Sequence, residues 1–252
     1  MTHPLRLAIN GAQGRMGRLL CAQAAADAHF ELLAECQAST RWQTLPALDV
    51  VVDFSSPDGL TAALDHCLAH GVALVSGTTG LTAELAARLD AASAQIPILR
   101  AANFSLGIAV LTRVLRDAAA ALPDWDIEIL EAHHAAKRDA PSGTALALGE
   151  SAAAARGITL NGPTNLDRNG LRVAGSIGFA SLRAGDIVGE HMAMLATAGE
   201  RLELGHRATD RGIFARGALH AARWLAGRAP GLYSLADMLE TNATSVKTSR
   251  SC

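Results

Sequence analysis

The stretch Glu128–Leu146, EILEAHHAAKRDAPSGTAL, sets two adjacent histidines, His133 and His134, just ahead of Lys137 and closes on a Ser142-Gly143-Thr144 turn. Imidazole has the ordinary pKa nearest neutrality, so either ring can give or take a proton at working pH. Lys137 supplies a fixed positive charge for a carboxylate, and a proton if burial weakens its hold on one. Ser142 can cap a helix whose first amides, on Gly143 and Thr144, can hold an anion. A lone histidine is more often structural or solvated than catalytic. The array together points to protonation of a small substrate that carries carboxylates. Residue types alone leave open which histidine does what.

A second constellation lies near the start. Gly11-Ala12-Gln13-Gly14-Arg15-Met16-Gly17 has GxxGxxG spacing, a variant of the dinucleotide fingerprint, between a short apolar run and a helical pattern. Small residues permit a tight turn and close approach of a pyrophosphate to the helix N-terminus. Glu35 follows about twenty residues on, where a carboxylate can accept both ribose hydroxyls of an adenosine. Gly77-Thr78-Thr79-Gly80 and Ala101-Ala102-Asn103-Phe104-Ser105 each follow a strand-like run. Their hydroxyls and carboxamide suit a nicotinamide, and Phe104 can pack on its ring. Taken without the first motif, both read as ordinary turns.

These motifs need a scaffold that places them at strand ends. Leu5–Ile9, Phe30–Ala34, Val50–Phe54, Val72–Val75 and Ile96–Leu99 read as strands. They alternate with helical patterns from Arg15 to about Asp27, Pro57 to about His70 and Thr82 to about Ala94. Continuous apolar strands between helices predict an α/β fold, a Rossmann-type doubly wound parallel sheet. The rhythm then changes. A helix over Leu106–Ala121, a strand over Asp126–Ala132 and a helix over Thr144–Ala155 precede three β-like stretches, Ser176–Arg183, His191–Thr197 and Arg201–His206. Consecutive strands with tight breaks predict an inserted α+β domain with a mixed sheet. A further helix is expected from about Asp210 to Gly227. The domains expected are 1–105, completed by 214–240, for dinucleotide binding and 106–213 for substrate and oligomerisation, with 241–252 a flexible tail.

Composition narrows the classes. The chain has 252 residues, half of them apolar and only 4% aromatic, with a formal charge of −2. That charge gives no case for nucleic acid or an anionic membrane. No apolar run is long enough to span a bilayer, and the N-terminus lacks a signal core, so a cytoplasmic protein is expected. Cys21, Cys36, Cys67 and Cys252 are scattered without CxxC spacing and are expected to be buried free thiols. His66 and His70 have a spacing that can clip a metal, but no third ligand is evident. A solvated pair near a helix end, and no metal, is the expectation.

The residues just described resemble the bacterial dihydrodipicolinate reductase family. Gly11–Gly17, Gly77–Gly80, Ala102–Ser105 and Glu128–Leu146 carry the likeness, with Gly178–His191, Glu200–Glu203 and His206. The resemblance implies NADH- or NADPH-dependent reduction of 4-hydroxy-tetrahydrodipicolinate with loss of water, in lysine and diaminopimelate biosynthesis, by a homotetramer. It implies His133 as proton donor and acceptor and Lys137 as second donor. His134, Gly143 and Thr144 would bind the dicarboxylate substrate. Gly11, Ala12, Gln13, Gly14, Arg15, Met16, Glu35, Gly77, Thr78, Thr79, Ala101, Ala102, Asn103 and Phe104 would contact the cofactor. Many members carry a basic residue after the ribose-binding acid. Cys36 stands there, which suggests NADH over NADPH unless Arg41 folds back. Two competing readings keep the nucleotide end: another Rossmann oxidoreductase acting on a small dicarboxylate, and a nucleotide-sensing relative without turnover.

Overall fold

The computed structural model describes residues 3–160 and 170–240. The chain divides into two compact units: one is drawn from residues up to Leu106 and from Gly212 onward, the other spans Gly107 to Arg211. The expected tail over 241–252 lies outside the described residues.

The first unit opens with β1 (Leu5–Asn10), α1 (Arg15–Ala25), β2 (Phe30–Cys36) and a short 3-10 turn at Trp42–Thr44. Next come β3 (Val50–Asp53), α2 (Pro57–His70), β4 (Ala73–Ser76), α3 (Ala83–Ala92) and β5 (Pro97–Arg100). Val50, Val51 and Val52 are fully buried, as a strand covered on both faces requires. Local signals set the helix ends. The Ser56 hydroxyl accepts from the Gly59 amide at 3.2 Å with Pro57 in the first turn, and Gly71 closes α2 at φ +67°. Ala8, Val51, Leu74 and Ile98 pack with apolar residues of α2 and α3. The alternate strand residues point to the other face, where α6 crosses β3, β4 and β5 beside α1.

In the second unit, α4 (Leu106–Ala121), β6 (Asp126–His133) and α5 (Gly143–Ala155) precede three strands, β7 (Ile177–Arg183), β8 (Gly189–Thr197) and β9 (Glu200–Ala208). The chain returns to the first unit with α6 (Gly212–Leu225) and β10 (Gly231–Tyr233).

The first sheet is wholly parallel, in the order β10-β5-β4-β3-β1-β2. Its switch point lies between β1 and β3, at whose carboxyl ends doubly wound sheets open a crevice. The second sheet, β7-β6-β8-β9, is mixed: β6 runs parallel to β7 and antiparallel to β8. Ile127, Ile129, Ile177, Phe179, Ala193 and Leu195 form one face of that sheet and pack against Ile108, Leu111, Leu115, Leu148 and Ala152 of the two helices.

The α/β class, the parallel sheet and the mixed second sheet match the sequence expectation. Four features stand out as different, the first being Cys21, which is half-buried where Cys36 and Cys67 are buried. β10 is a sixth parallel strand that no pattern announced, because three residues are too few for a period. β2 extends two residues beyond Ala34, through Glu35 and Cys36. His66 is not solvated: it is buried, with its ring 5.3 Å from Trp42 and stacked at 4.4 Å on His70.

Candidate active site

Strand periodicity builds the first half of the site in the second unit. Successive odd positions of β6 share a face, so Ile127 and Ile129 enter the core while Glu131 and His133 continue that face to the strand end. His133 Nδ1 lies 2.6 Å from Glu131 Oε2. Arg183, paired with His133 in the β6–β7 register, clasps both Glu131 oxygens at 2.6 and 2.8 Å. The Ser142 amide donates to Glu131 Oε1 at 3.2 Å. The Glu131 side chain is wholly buried. Burial opposes its ionisation, but the Arg183 fork, the Ser181 hydroxyl and His133 prevail and hold it down to about 2. Burial lowers the His133 pKa; Glu131 pulls it upward, and the charges of Lys137 and Arg183 push it further down.

The Ser142 hydroxyl caps α5 by accepting from the Ala145 amide at 3.2 Å, and lies 3.1 Å from His191 Nε2. Burial, then the neighbouring His133, lower His191 to about 4, so it stays neutral at ordinary pH. Its ring meets His133 edge-on at 5.1 Å. Lys137 Nζ pairs with Asp139 at 2.9 Å, and the Gly143 backbone also helps keep the Asp139 carboxylate ionised. An incoming carboxylate therefore finds a cation already matched to that group, beside the start of α5. His134 is half-buried just past the strand, where the Lys137 amide donates to its carbonyl at 3.1 Å. Gly143 is exposed and Thr144 half-buried in the first turn of α5. His133, Lys137 and Gly143 thus share one end of the mixed sheet.

In the first unit, a cleft of 490 Å³ opens at the carboxyl ends of β1, β2 and β3. Gly11, Gln13 and Gly14 line one part of it, Gln37, Ala38, Thr40 and Trp42 another, and Phe54, Ser55, Asp58 and Gly59 a third. Gly11 adopts φ +80°, and a Cβ there would sit 2.3 Å from the Phe54 carbonyl oxygen. At Gly17 a Cβ would come within 2.1 Å of the Gly11 carbonyl, so α1 can start this close to β1 only with glycine. Gly14 sits at the N-cap of α1 without a side-chain hydrogen bond, leaving the helix start open to an anion. These features fit a dinucleotide pyrophosphate.

Several expected contacts stand differently. The Phe104 ring is 1% exposed and packs on Phe54 at 5.3 Å, so it offers no face to a nicotinamide. Thr78 is buried, with its hydroxyl on Asp53 at 2.7 Å. Cys36 is fully buried in the core beneath α2 and cannot face a ribose, because in a strand it points opposite to exposed Glu35. Its carbonyl instead accepts from the Gly11 and Ala12 amides at 3.0 and 3.1 Å. Glu35 lies near Cys21 of α1, whose thiol is pushed up to about 11, first by burial and then by that carboxylate. Ala12 is buried, and Arg15, Thr79 and Ala102 are exposed; Met16, Gly77, Ala101 and Asn103 are half-buried.

Sequence reasoning missed Glu131, Arg183, His191 and Asp53. Glu131 carried a signal, since an acid two residues before His133 on a strand shares its face. Arg183 and His191 lie within the Gly178–His191 stretch that carries the family likeness, but no spacing ties them to His133, since only strand pairing joins them to β6. Asp53 is fully buried at the end of β3 and accepts from Asn10 at 2.8 Å, Ser76 at 2.8 Å, Thr78 at 2.7 Å and the Ser55 hydroxyl. Burial raises its pKa against these donors.

A doubly wound parallel sheet with a glycine cradle at its switch point, joined to a unit holding a charge-compensated histidine, defines a Rossmann-type oxidoreductase. Comparison with known proteins narrows the class. A family model described as dihydrodipicolinate reductase, N-terminus, matches residues 5–104, and its C-terminus counterpart matches residues 107–239. Curated proteins named 4-hydroxy-tetrahydrodipicolinate reductase are 46% identical in Caulobacter vibrioides, covering 95% of this chain and 98% of the relative, and 48% identical in Stenotrophomonas maltophilia, covering 94% and 98%. A dipicolinate-bound dihydrodipicolinate reductase from Paenisporosarcina shares the fold at TM-score 0.76 with 24% identity, over 92% of this chain and 97% of that one. The chain belongs to the dihydrodipicolinate reductase family and, with it, to the oxidoreductases that use a nicotinamide cofactor.

Proposed function

We propose that this protein reduces 4-hydroxy-2,3,4,5-tetrahydrodipicolinate to tetrahydrodipicolinate with loss of water, in the formation of lysine and diaminopimelate. The observation that carries the reading is His133 held against buried Glu131 at 2.6 Å, at the end of the sheet that also carries Lys137 and the start of α5. The cleft at Gly11–Gly14 would hold the dinucleotide, with the other expected contacts from Ala12, Arg15, Met16, Glu35, Gly77–Thr79 and Ala101–Phe104 supplied largely by backbone. Bound reduced nicotinamide would supply a hydride to ring carbon 4 once water has left, taking the hydroxyl from that carbon and a hydrogen from its neighbour. His134, Gly143 and Thr144 grip the substrate carboxylates, and Lys137 exchanges Asp139 for one of them. His133 Nε2 takes up a proton and delivers it to the neighbouring ring carbon, with Lys137 as second donor. Positioning of this kind lowers a barrier by several kcal/mol, up to roughly 7–11.

Mixing the protein with reduced cofactor and the condensation product of aspartate semialdehyde and pyruvate should oxidise the nicotinamide, followed by absorbance. Oxidation should fall about 100-fold or more in His133→Ala and Lys137→Ala. Binding of cofactor without oxidation would overturn the reading in favour of a nucleotide sensor.

NADH is the preferred cofactor in this proposal. Its support is the cleft wall after β2, where Gln37, Ala38, Thr40 and Trp42 offer no cation to a 2′-phosphate and Asp58 adds a carboxylate nearby. Buried Cys36 no longer supports it, and exposed Arg41 is not among the cleft residues. kcat/KM should favour NADH, and Ala38→Arg should shift the ratio toward NADPH about tenfold.

A homotetramer joined through the mixed sheets is likewise proposed. The face of that sheet away from α4 and α5 carries Leu130, Ala132, Leu182 and Met192 around a cavity of 440 Å³, with Leu182 65% exposed. Among the described residues, no helix is long and apolar enough to cross a membrane, and Cys21, Cys36 and Cys67 are free thiols, which supports a reducing cytoplasm as the compartment.

A further inference from the structure

We propose that Glu131, clasped by Arg183, is a positioning residue that locks His133 with its proton on Nδ1 and leaves Nε2 as the working nitrogen. The inference rests on the reading of His133 as the proton carrier and goes beyond it.

Hydrogen-bond accounting on one carboxylate carries the argument. Glu131 Oε1 accepts from Arg183 Nη2 at 2.6 Å and from the Ser142 amide at 3.2 Å; Oε2 meets Arg183 Nη1 at 2.8 Å and His133 Nδ1 at 2.6 Å. The guanidinium and the amide can only donate. Their combined pull keeps the carboxylate ionised, so it has no proton to offer the imidazole. His133 Nδ1 must therefore be the donor, and in the neutral ring the proton is absent from Nε2. Nε2 faces Gly189, where a Cβ would sit 3.1 Å away. The missing side chain leaves room at the one nitrogen that can reach a ligand.

The surroundings keep this arrangement from drifting. Glu131 on β6 and Arg183 on β7 cancel in charge beside the ring. His191 on β8 stands edge-on at 5.1 Å, with Nε2 turned to Ser142, so it does not compete for Glu131. Lys137 in the following loop adds a positive charge that disfavours the imidazolium. Removing the carboxylate would free the tautomer and leave burial, Lys137 and Arg183 unopposed, so protonated His133 would persist only at lower pH.

The test uses the full-length protein labelled with 15N-histidine, with the His133 signals assigned by their loss in His133→Asn. Long-range 1H–15N correlation should show Nδ1 protonated in the wild type at neutral pH. In Glu131→Gln the ring should shift toward Nε2–H or a mixture. Its titration should move to lower pH, and the high-pH limb of kcat/KM should move with it. kcat at neutral pH should fall about tenfold with little change in KM for the substrate. Glu131→Asp should restore part of both signals. An unchanged tautomer and an unchanged pH profile in Glu131→Gln would overturn the proposal. An altered tautomer with wild-type turnover would support Glu131's hold on the ring and overturn His133 as proton carrier. If Glu131→Gln fails to fold by circular dichroism, Glu131→Asp, which draws the carboxylate back from Nδ1, is read by the same signals, and a fully wild-type tautomer and pH profile there would overturn the proposal.

Discussion

At the scale of single residues, the site is a set of groups whose charge states depend on burial. Glu131 falls from an ordinary 4.5 to about 2, and His191 from 6.5 to about 4. Both are depressed in the folded protein, so the unfolded chain binds the extra proton first as pH drops. Stability should be greatest above pH 6.5, decline between 6.5 and 4 as unfolded His191 gains its proton, and decline again between 4.5 and 2 through Glu131. Each step is worth about 3 kcal/mol at most. Melting temperature against pH should show the two stages, and His191→Gln should shrink the upper one, leaving the part due to His133, whose pKa burial also lowers. Gly189→Ala makes a different prediction. The added methyl crowds His133 Nε2, so kcat should fall about tenfold while the melting temperature barely moves. A large loss of stability would place the strain in the strand and not at the imidazole.

At the scale of elements, strand ends do the positioning. β6 carries core residues and candidate-site residues on one face, so one period-two pattern both packs Ile127 and Ile129 and sets Glu131 beside His133. Asp53 plays the matching part in the first unit, where it ties the ends of β1, β3 and β4 through Asn10, Ser55, Ser76 and Thr78. Asp53→Ala would strand several buried donors and should destabilise the protein by about 3 kcal/mol or more, with thermal melting as the check. A near-neutral effect would mean the donors find new partners. The GxxGxxG turn, the apolar β-runs and the Ser142 cap were legible because each is set by a few consecutive residues. The direction of Cys36 and the burial of Phe104 were not, since neighbours distant in sequence decide them.

At the scale of the whole molecule, the uncovered face of the mixed sheet is the feature left to explain. Sedimentation should give a mass four times 26.1 kDa. Leu182→Glu, which puts a charge into the apolar patch, should yield smaller species; an unchanged tetramer would mean that subunits meet elsewhere. The sequence by itself determined the alternation of strands and helices, the glycine cradle and the histidine–lysine–serine array, because periodicity, backbone freedom and capping act within a short window of chain. Only the tertiary structure decided that Glu131 is a charged clasp and His191 a neutral neighbour, that Asp53 anchors three strand ends, and that Gly231–Tyr233 adds a sixth strand. Those outcomes depend on which donors, charges and sheet edges pairing brings together from distant parts of the chain, and on how completely water is excluded around them.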